Sequence, residues 1–158
     1  MQAAKGQLED TYGQVREVVS DLKRRDETRR FDEALRGAVG EVAGRLGLRV
    51  DCEAEACPAL PAPAQRNLLA IVQEALTNAH RHGRARRAAV RLETSGKDLE
   101  IEVSDEGGGF DPDSVPREGR YGLAIMEERA RMVGGRLLLD AAPERGTRVT
   151  VRVPGAVP

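Results

Sequence analysis

The residues best suited to chemistry lie in Gln73-Glu74-Ala75-Leu76-Thr77-Asn78-Ala79-His80-Arg81-His82. On a helix Glu74 and Asn78 stand one turn apart and share a face, with Asn67 and Arg81 on the same polar stripe. Leu68, Leu69, Val72, Ala75, Leu76 and Ala79 form the opposite, apolar stripe. A carboxylate, an amide oxygen and a guanidinium on one surface could handle a hydrated cation carrying a phosphate. Taken alone, the stripe reads better as a solvated helix face. It needs company.

Company comes from three further segments. Asp105-Glu106-Gly107-Gly108-Gly109-Phe110 succeeds a strand-like alternation. Its glycines leave no Cβ to obstruct a ligand, and a carboxylate beside them can accept a hydrogen bond from a ligand amine. Gly119-Arg120-Tyr121-Gly122-Leu123 reads as the opening of a helix, whose free N–H groups and dipole suit a phosphate. Gly146-Thr147 hands a turn over to the last strand. Between Phe110 and Gly119 lie eight residues rich in Pro, Asp, Ser, Arg and Glu, which read as a mobile flap. Each segment alone also reads as an ordinary turn or loop. Their order and spacing together do not.

The elements that must position these segments emerge from hydrophobic periodicity. Leu8, Tyr12, Val15, Val19 and Leu22 make a heptad seam over 3–24, and a helix with one apolar seam needs a partner helix. The run Lys23-Arg24-Arg25-Asp26-Glu27 closes that unit and divides the chain into 1–27 and 28–158. A second helix is expected from Phe31 to Leu46 with Gly47 as its left-handed cap, then a strand from Leu48 to Glu53. A proline-rich loop, Ala54 to Pro63, leads into the Ala64–His82 helix. Two hairpins are expected, Ala89–Thr94 with Leu99–Val103, and Arg136–Ala141 with Thr147–Val153, separated by a helix from Gly122 to Val133. This order implies an α+β fold, a two-layer α/β sandwich with an N-terminal coiled-coil-like helix.

Bulk composition narrows the function classes. Twenty-five Lys+Arg against 26 Asp+Glu give a net charge of -1 and no electrostatic reason to expect nucleic acid as a partner. The apolar stretches are too short for a membrane span and the start is no signal peptide, so a cytoplasmic segment without membrane contact of its own is expected, with a membrane anchor elsewhere in a parent protein left open. Cys52 and Cys57 fit no zinc spacing and read as reduced structural thiols.

Taken together, these segments resemble the boxes of sensor histidine kinases. Gln73–His82 is similar to their N box, Asp105–Phe110 to the first glycine box, and Tyr121-Gly122-Leu123-Ala124-Ile125-Met126-Glu127-Glu128-Arg129-Ala130 to the second. The short flap and the Met-x-Glu-Arg-Ala ending resemble the branch that pairs with helix-turn-helix response regulators. Asp10–Glu17 resembles that branch's second stalk helix, with the nitrate/nitrite sensors nearest in pattern. The resemblance implies a Bergerat-type sandwich that binds ATP or ADP with Mg²⁺. It implies that Asp105 accepts from the adenine amine, that Asn78 coordinates Mg²⁺, and that Glu74 is the catalytic base or polariser. Arg81 would neutralise phosphate, and Gly107, Gly109 and Gly122 would allow close approach. His82, Tyr121, Leu123 and Thr147 complete the implied nucleotide-binding set. The implied partners are the parent protein's own first stalk helix, within a homodimer, and a response regulator.

Two positions depart from the family pattern. Arg81 stands where relatives often have Lys, and Glu127 where they commonly have Arg. The family's phosphoacceptor histidine precedes the stalk segment present here, so the chain is expected to be part of a longer kinase. An anti-sigma-factor-type serine kinase shares these boxes, and a coiled-coil adaptor with a decayed pocket is the non-catalytic alternative. The heptad helix weighs against the first and intact Glu74, Asn78 and Asp105 against the second.

Overall fold

The computed structural model describes residues 2–158, apart from the side chains of 2–6, 8, 22–27 and 118. Four helices and five strands run in the order α1 (Gln2–Thr28), α2 (Phe31–Leu46), β1 (Arg49–Ala54), α3 (Ala62–Arg81), β2 (Arg87–Ser95), β3 (Asp98–Asp105), α4 (Arg117–Met132), β4 (Arg136–Ala141) and β5 (Thr147–Val153). The sheet order is β1-β2-β3-β5-β4. Only β1 and β2 pair in parallel, and α3 is the crossover that such a pair requires. The other three pairings are antiparallel.

Alternation along the strands decides which face the helices cover. Ala88, Val90 and Leu92 of β2, Leu99, Ile101 and Val103 of β3, and Val149, Val151 and Val153 of β5 are buried. They meet Phe31, Leu35, Val39 and Val42 of α2, Leu68, Ile71, Val72 and Leu76 of α3, and Met126 and Ala130 of α4. Each large side chain among them contributes roughly 1.5–3 kcal/mol by leaving water. The opposite face is charged, and its cross-strand pairs include Arg91 with Glu53 and Arg148 with Glu102. The result is the two-layer sandwich expected from the sequence, with helices on one face.

Boundaries differ most in two places, and by one or two residues elsewhere. The charged run Lys23–Glu27 does not end α1, which continues to Thr28. Nothing in that run is a helix breaker, so charge alone could not stop it. The described side chains of α1 are all exposed, Tyr12, Val15, Val18 and Val19 among them, while Leu8 and Leu22 of the seam lie outside the described side chains. Helix α4 begins at Arg117, five residues before the expected Gly122. Pro116 supplies the extended residue before the first turn, and Gly119 lies inside that turn, where a Cβ would press on Val115 Cγ1 at 2.7 Å. The flap therefore shortens to a 3-10 turn, Pro112–Ser114, and its flanks. Gly47 caps α2 with φ 65, as expected.

A buried carboxylate ties α2 to the loop before α3. Asp32, 4% exposed, accepts from the Cys57 amide at 2.9 Å, from Arg30 Nε at 3.0 Å and from Arg36 Nη1 at 2.9 Å. Burial pushes its carboxyl up, but the amide and the two guanidiniums outweigh that and hold it below the ordinary 3.8. A lowered folded pKa means its stabilisation is present above the unfolded value and is lost as pH falls through the folded one. Asp32→Ala is expected to cost about 2–3 kcal/mol at neutral pH, because the buried Cys57 N–H loses its acceptor. Urea titrations should show the gap from wild type narrowing below about pH 3.8, as the wild-type Asp32 itself protonates.

Candidate functional site

The end of α3 brings the polar stripe to the rim of the sheet. Glu74 and Asn78 are half-buried on one face of α3, and α4 packs across them. At the crossing, α4 presents Gly122. A Cβ there would stand 3.1 Å from Glu74 Oε1 and 4.0 Å from Asn78 Nδ2. The absence of a side chain at Gly122 keeps the carboxylate and the amide open.

The same helix end connects to the glycine-rich loop through its backbone. Gly83 N–H donates to Asn78 O at 3.2 Å, and Gly83 O accepts from Gly108 N–H at 2.8 Å. A Cβ on Gly107 would meet Gly83 O at 2.6 Å and Asp105 Oδ1 at 2.8 Å. Asp105 Oδ1 accepts from Gly107 N–H at 2.7 Å, and the Thr147 amide, opposite it across β3 and β5, also donates to its carboxylate. Gly109 (φ 60) and Gly146 (φ 72) take left-handed backbone. A Cβ on Gly109 would overlap Ala142 O, and one on Gly146 would overlap Asp105 O. Glu144 N–H closes the ring by donating to Gly108 O at 2.6 Å.

The structure thus brings Glu74, Asn78 and Gly122 together on one side and Asp105, Gly107, Gly109 and Thr147 on the other, with Gly83 between. Leu123 is partly buried against the core. Tyr121 is 72% exposed, and Arg81 and His82 are also exposed. The His82 amide is used in the helix end, donating to Asn78 O. Gly122 is not at a helix N-terminus as expected, since α4 starts earlier; its place is against Glu74 instead. No sequence pattern points to the role of Gly83, nor to Asn67 Oδ1 accepting from Arg129 Nη1 at 3.0 Å, which links α3 to α4.

Two features bear on what the site could hold. Glycines that admit no Cβ pack backbone closely around Asp105, and its carboxylate stays half-buried among them. Among the described residues no group of three His, Cys, Asp or Glu could hold a metal by itself. Asn78 and Glu74, side by side on α3, present an amide and a carboxylate under Gly122.

The two-layer sandwich is the fold of solved histidine kinase ATP-binding domains. The ATP-binding domain of PrrB from Mycobacterium tuberculosis superposes with a TM-score of 0.63 and 27% identity, covering 80% of this chain and 95% of that one. The histidine kinase domain of the Erythrobacter litoralis EL346 blue-light activated kinase gives 0.67 and 25%, covering 82% and 64%. Residues 64–157 match the histidine kinase-, DNA gyrase B- and HSP90-like ATPase family, and the chain belongs to that family. An uncharacterized sensor-like histidine kinase of Chloroflexus aurantiacus is 41% identical over 92 residues, covering 55% of this chain and 15% of the relative. The sensor histidine kinase LiaS of Bacillus subtilis is 40% identical over 88 residues, covering 56% and 24%. The chain thus spans less than a quarter of the length of either relative.

Burial pushes the Asp105 carboxyl above its ordinary value, only partly offset by the amides of Gly107 and Thr147. A raised folded pKa means that ionised Asp105 costs the empty fold stability once pH exceeds both values. Asp105→Asn keeps an acceptor oxygen for Gly107 but faces the ligand with a donor. Its thermal midpoint without ligand at neutral pH should match or exceed wild type, while ATP affinity by calorimetry falls by tens of fold, about 2 kcal/mol.

Proposed function

We propose that this chain is the ATP-binding catalytic part of a sensor histidine kinase, with 1–27 as the second stalk helix and 28–158 as the catalytic domain. The observation that carries the reading is the placement of Glu74 and Asn78 under Gly122, joined through the Gly83 backbone to the half-buried Asp105. Asp105 would accept from the adenine amine, as its acceptor-only carboxylate at the base of a glycine cradle suits a planar donor. Asn78 would hold Mg²⁺ by its side-chain oxygen, and Arg81, exposed and without an ion pair among the described residues, would reach phosphate. Mg²⁺, when bound, supplies charge neutralisation on the phosphates. Glu74 would polarise the incoming imidazole and accept its proton. Thr147, Leu123, Tyr121 and His82 would line the pocket rim.

The histidine branch is supported by the sensor kinases that resemble the chain and by an exposed α1 with Tyr12, Val15 and Val19 unburied. The parent's first stalk helix, in a homodimer, and a response regulator are the partners this reading implies, in the cytoplasm and without nucleic acid. No helix among the described residues is long and apolar enough to cross a membrane. The finer likeness to nitrate/nitrite sensors rests on Asp10–Glu17 and the Tyr121–Met126 run alone. His80 and His82 sit at the end of the helix that would hold the metal. The phosphoacceptor would therefore be a histidine of the first stalk helix.

Titrating ATP with and without Mg²⁺ into wild type and Asn78→Ala tests the reading. Asn78→Ala should lose the metal-dependent gain in affinity and keep the metal-free part; a surviving gain would move the metal role elsewhere. With the first stalk helix supplied, Glu74→Ala should lower acid-labile phosphohistidine by about a hundredfold or more while changing ATP affinity little.

A further inference from the structure

The turn that ends α3 carries more positive charge than a nucleotide pocket uses. Residues 80–87 read His-Arg-His-Gly-Arg-Ala-Arg-Arg, with no carboxylate. Arg84, Arg86 and Arg87 are exposed, and Arg49 joins them because it stands opposite Arg87 in the β1–β2 register and its N–H donates to Arg86 O at 3.1 Å. None of the four forms an ion pair among the described residues, although eight such pairs occur elsewhere in a chain of net charge -1. Glu106, whose N–H donates to Arg87 O, and Asp51, two residues from Arg49 on β1, pair with none of them.

Arg84 adds a second, independent observation. Its φ of 51 is left-handed, and that backbone lets the Ala85 N–H reach back to Ala79 O at 2.9 Å. Glycine is the residue that takes this conformation without cost, and a Cβ-bearing residue there is strained. The neighbouring glycine cannot be exchanged for it, since a Cβ on Gly83 would meet Ala79 O at 2.8 Å. A long cationic side chain is thus kept at a position where the backbone favours none.

We infer that Arg49, Arg84, Arg86 and Arg87 form a docking surface for a bounded, carboxylate-rich protein patch, beside the nucleotide pocket and independent of what that pocket binds. Unpaired guanidiniums favour carboxylate by paired hydrogen bonds and steer oppositely charged partners. Exposed guanidiniums would serve phosphate equally, but the surroundings do not suit a long polyanion. Along the open sheet face the next rows carry Asp51, Glu53, Glu102, Glu93 and Glu100, of which Glu53, Glu102 and Glu100 are taken up by Arg91, Arg148 and Arg152, so no run of unpaired arginines continues from the cluster for a phosphate backbone to follow. No exposed large apolar side chain lies in the cluster to enter a membrane, and no aromatic one to stack on bases.

The test is fluorescence anisotropy of a labelled oligoglutamate peptide with the whole chain, at low and high salt, with duplex DNA as competitor. Wild type should bind the peptide in a salt-dependent way, and Arg84→Glu with Arg86→Glu should weaken it about tenfold or more. Arg66→Glu with Arg136→Glu, exposed and unpaired elsewhere, changes the net charge equally and should weaken it far less. Arg84→Gly should also weaken binding while its thermal midpoint holds or rises. No peptide binding at low salt, equal loss in both double variants, tighter binding of DNA than of peptide, or a lower midpoint in Arg84→Gly would each overturn the inference.

Discussion

The structure around the site depends on backbone meeting backbone where no Cβ can stand. Gly83 O lies against both Gly107 and Gly108, Gly109 lies against Ala142 O, and Gly146 lies against Asp105 O. These contacts lock three segments that are far apart in sequence: the end of α3, the loop after β3 and the turn between β4 and β5. A side chain at Gly107, Gly109 or Gly146 would force backbone to move, since the obstructing carbonyls cannot rotate away as a flexible side chain can. The interlock holds Asp105 half-buried, and that burial is what lifts its pKa. Holding the ionised carboxylate there costs the fold some stability, and a hydrogen bond made to it in that half-buried setting is stronger than one made in water.

The rest of the sandwich keeps this interlock in register. Helix α3 packs on the sheet between α2 and α4, and its apolar stripe is buried from Leu68 to Ala79. Arg129 reaching Asn67 fixes how α4 crosses α3, and that crossing sets Gly122 over Glu74. At the other end, Asp32 holds the loop before α3 to α2. The polar half of α3 can stay open because the apolar half is so firmly held.

Much of this is legible in the residues. Period-two alternation in Leu99–Val103 marks a strand with one wet face, and Thr147–Val153 has the same bounds in the sequence pattern and in the fold. The α3 stripe, and Gly47 as the αL cap of α2, are equally plain. The start of α4 is concealed because glycines 119 and 122 look like a helix boundary, whereas both are there for close packing, against Val115 and Glu74. The end of α1 is concealed because a run of charge resembles a boundary, whereas Lys, Arg and Glu are good helix formers and the helix runs on to Thr28. Gly83 and the Asn67–Arg129 bond are hidden for a different reason: they join residues distant in sequence, and no local pattern announces a tertiary partner.

The Gly83–Gly107–Gly146 interlock shapes a site in which Asp105 would recognise an adenine amine. Isothermal titration of ATP against GTP tests this most directly, since the two differ at the atom Asp105 would meet. Adenine offers an amino donor there and guanine a carbonyl oxygen, which an acceptor-only carboxylate repels. Such recognition predicts that the chain binds ATP at least about a hundredfold more tightly than GTP, and that Asp105→Asn narrows the ratio by weakening ATP. Equal affinities for the two nucleotides in wild type, or a ratio unchanged by Asp105→Asn, would contradict it.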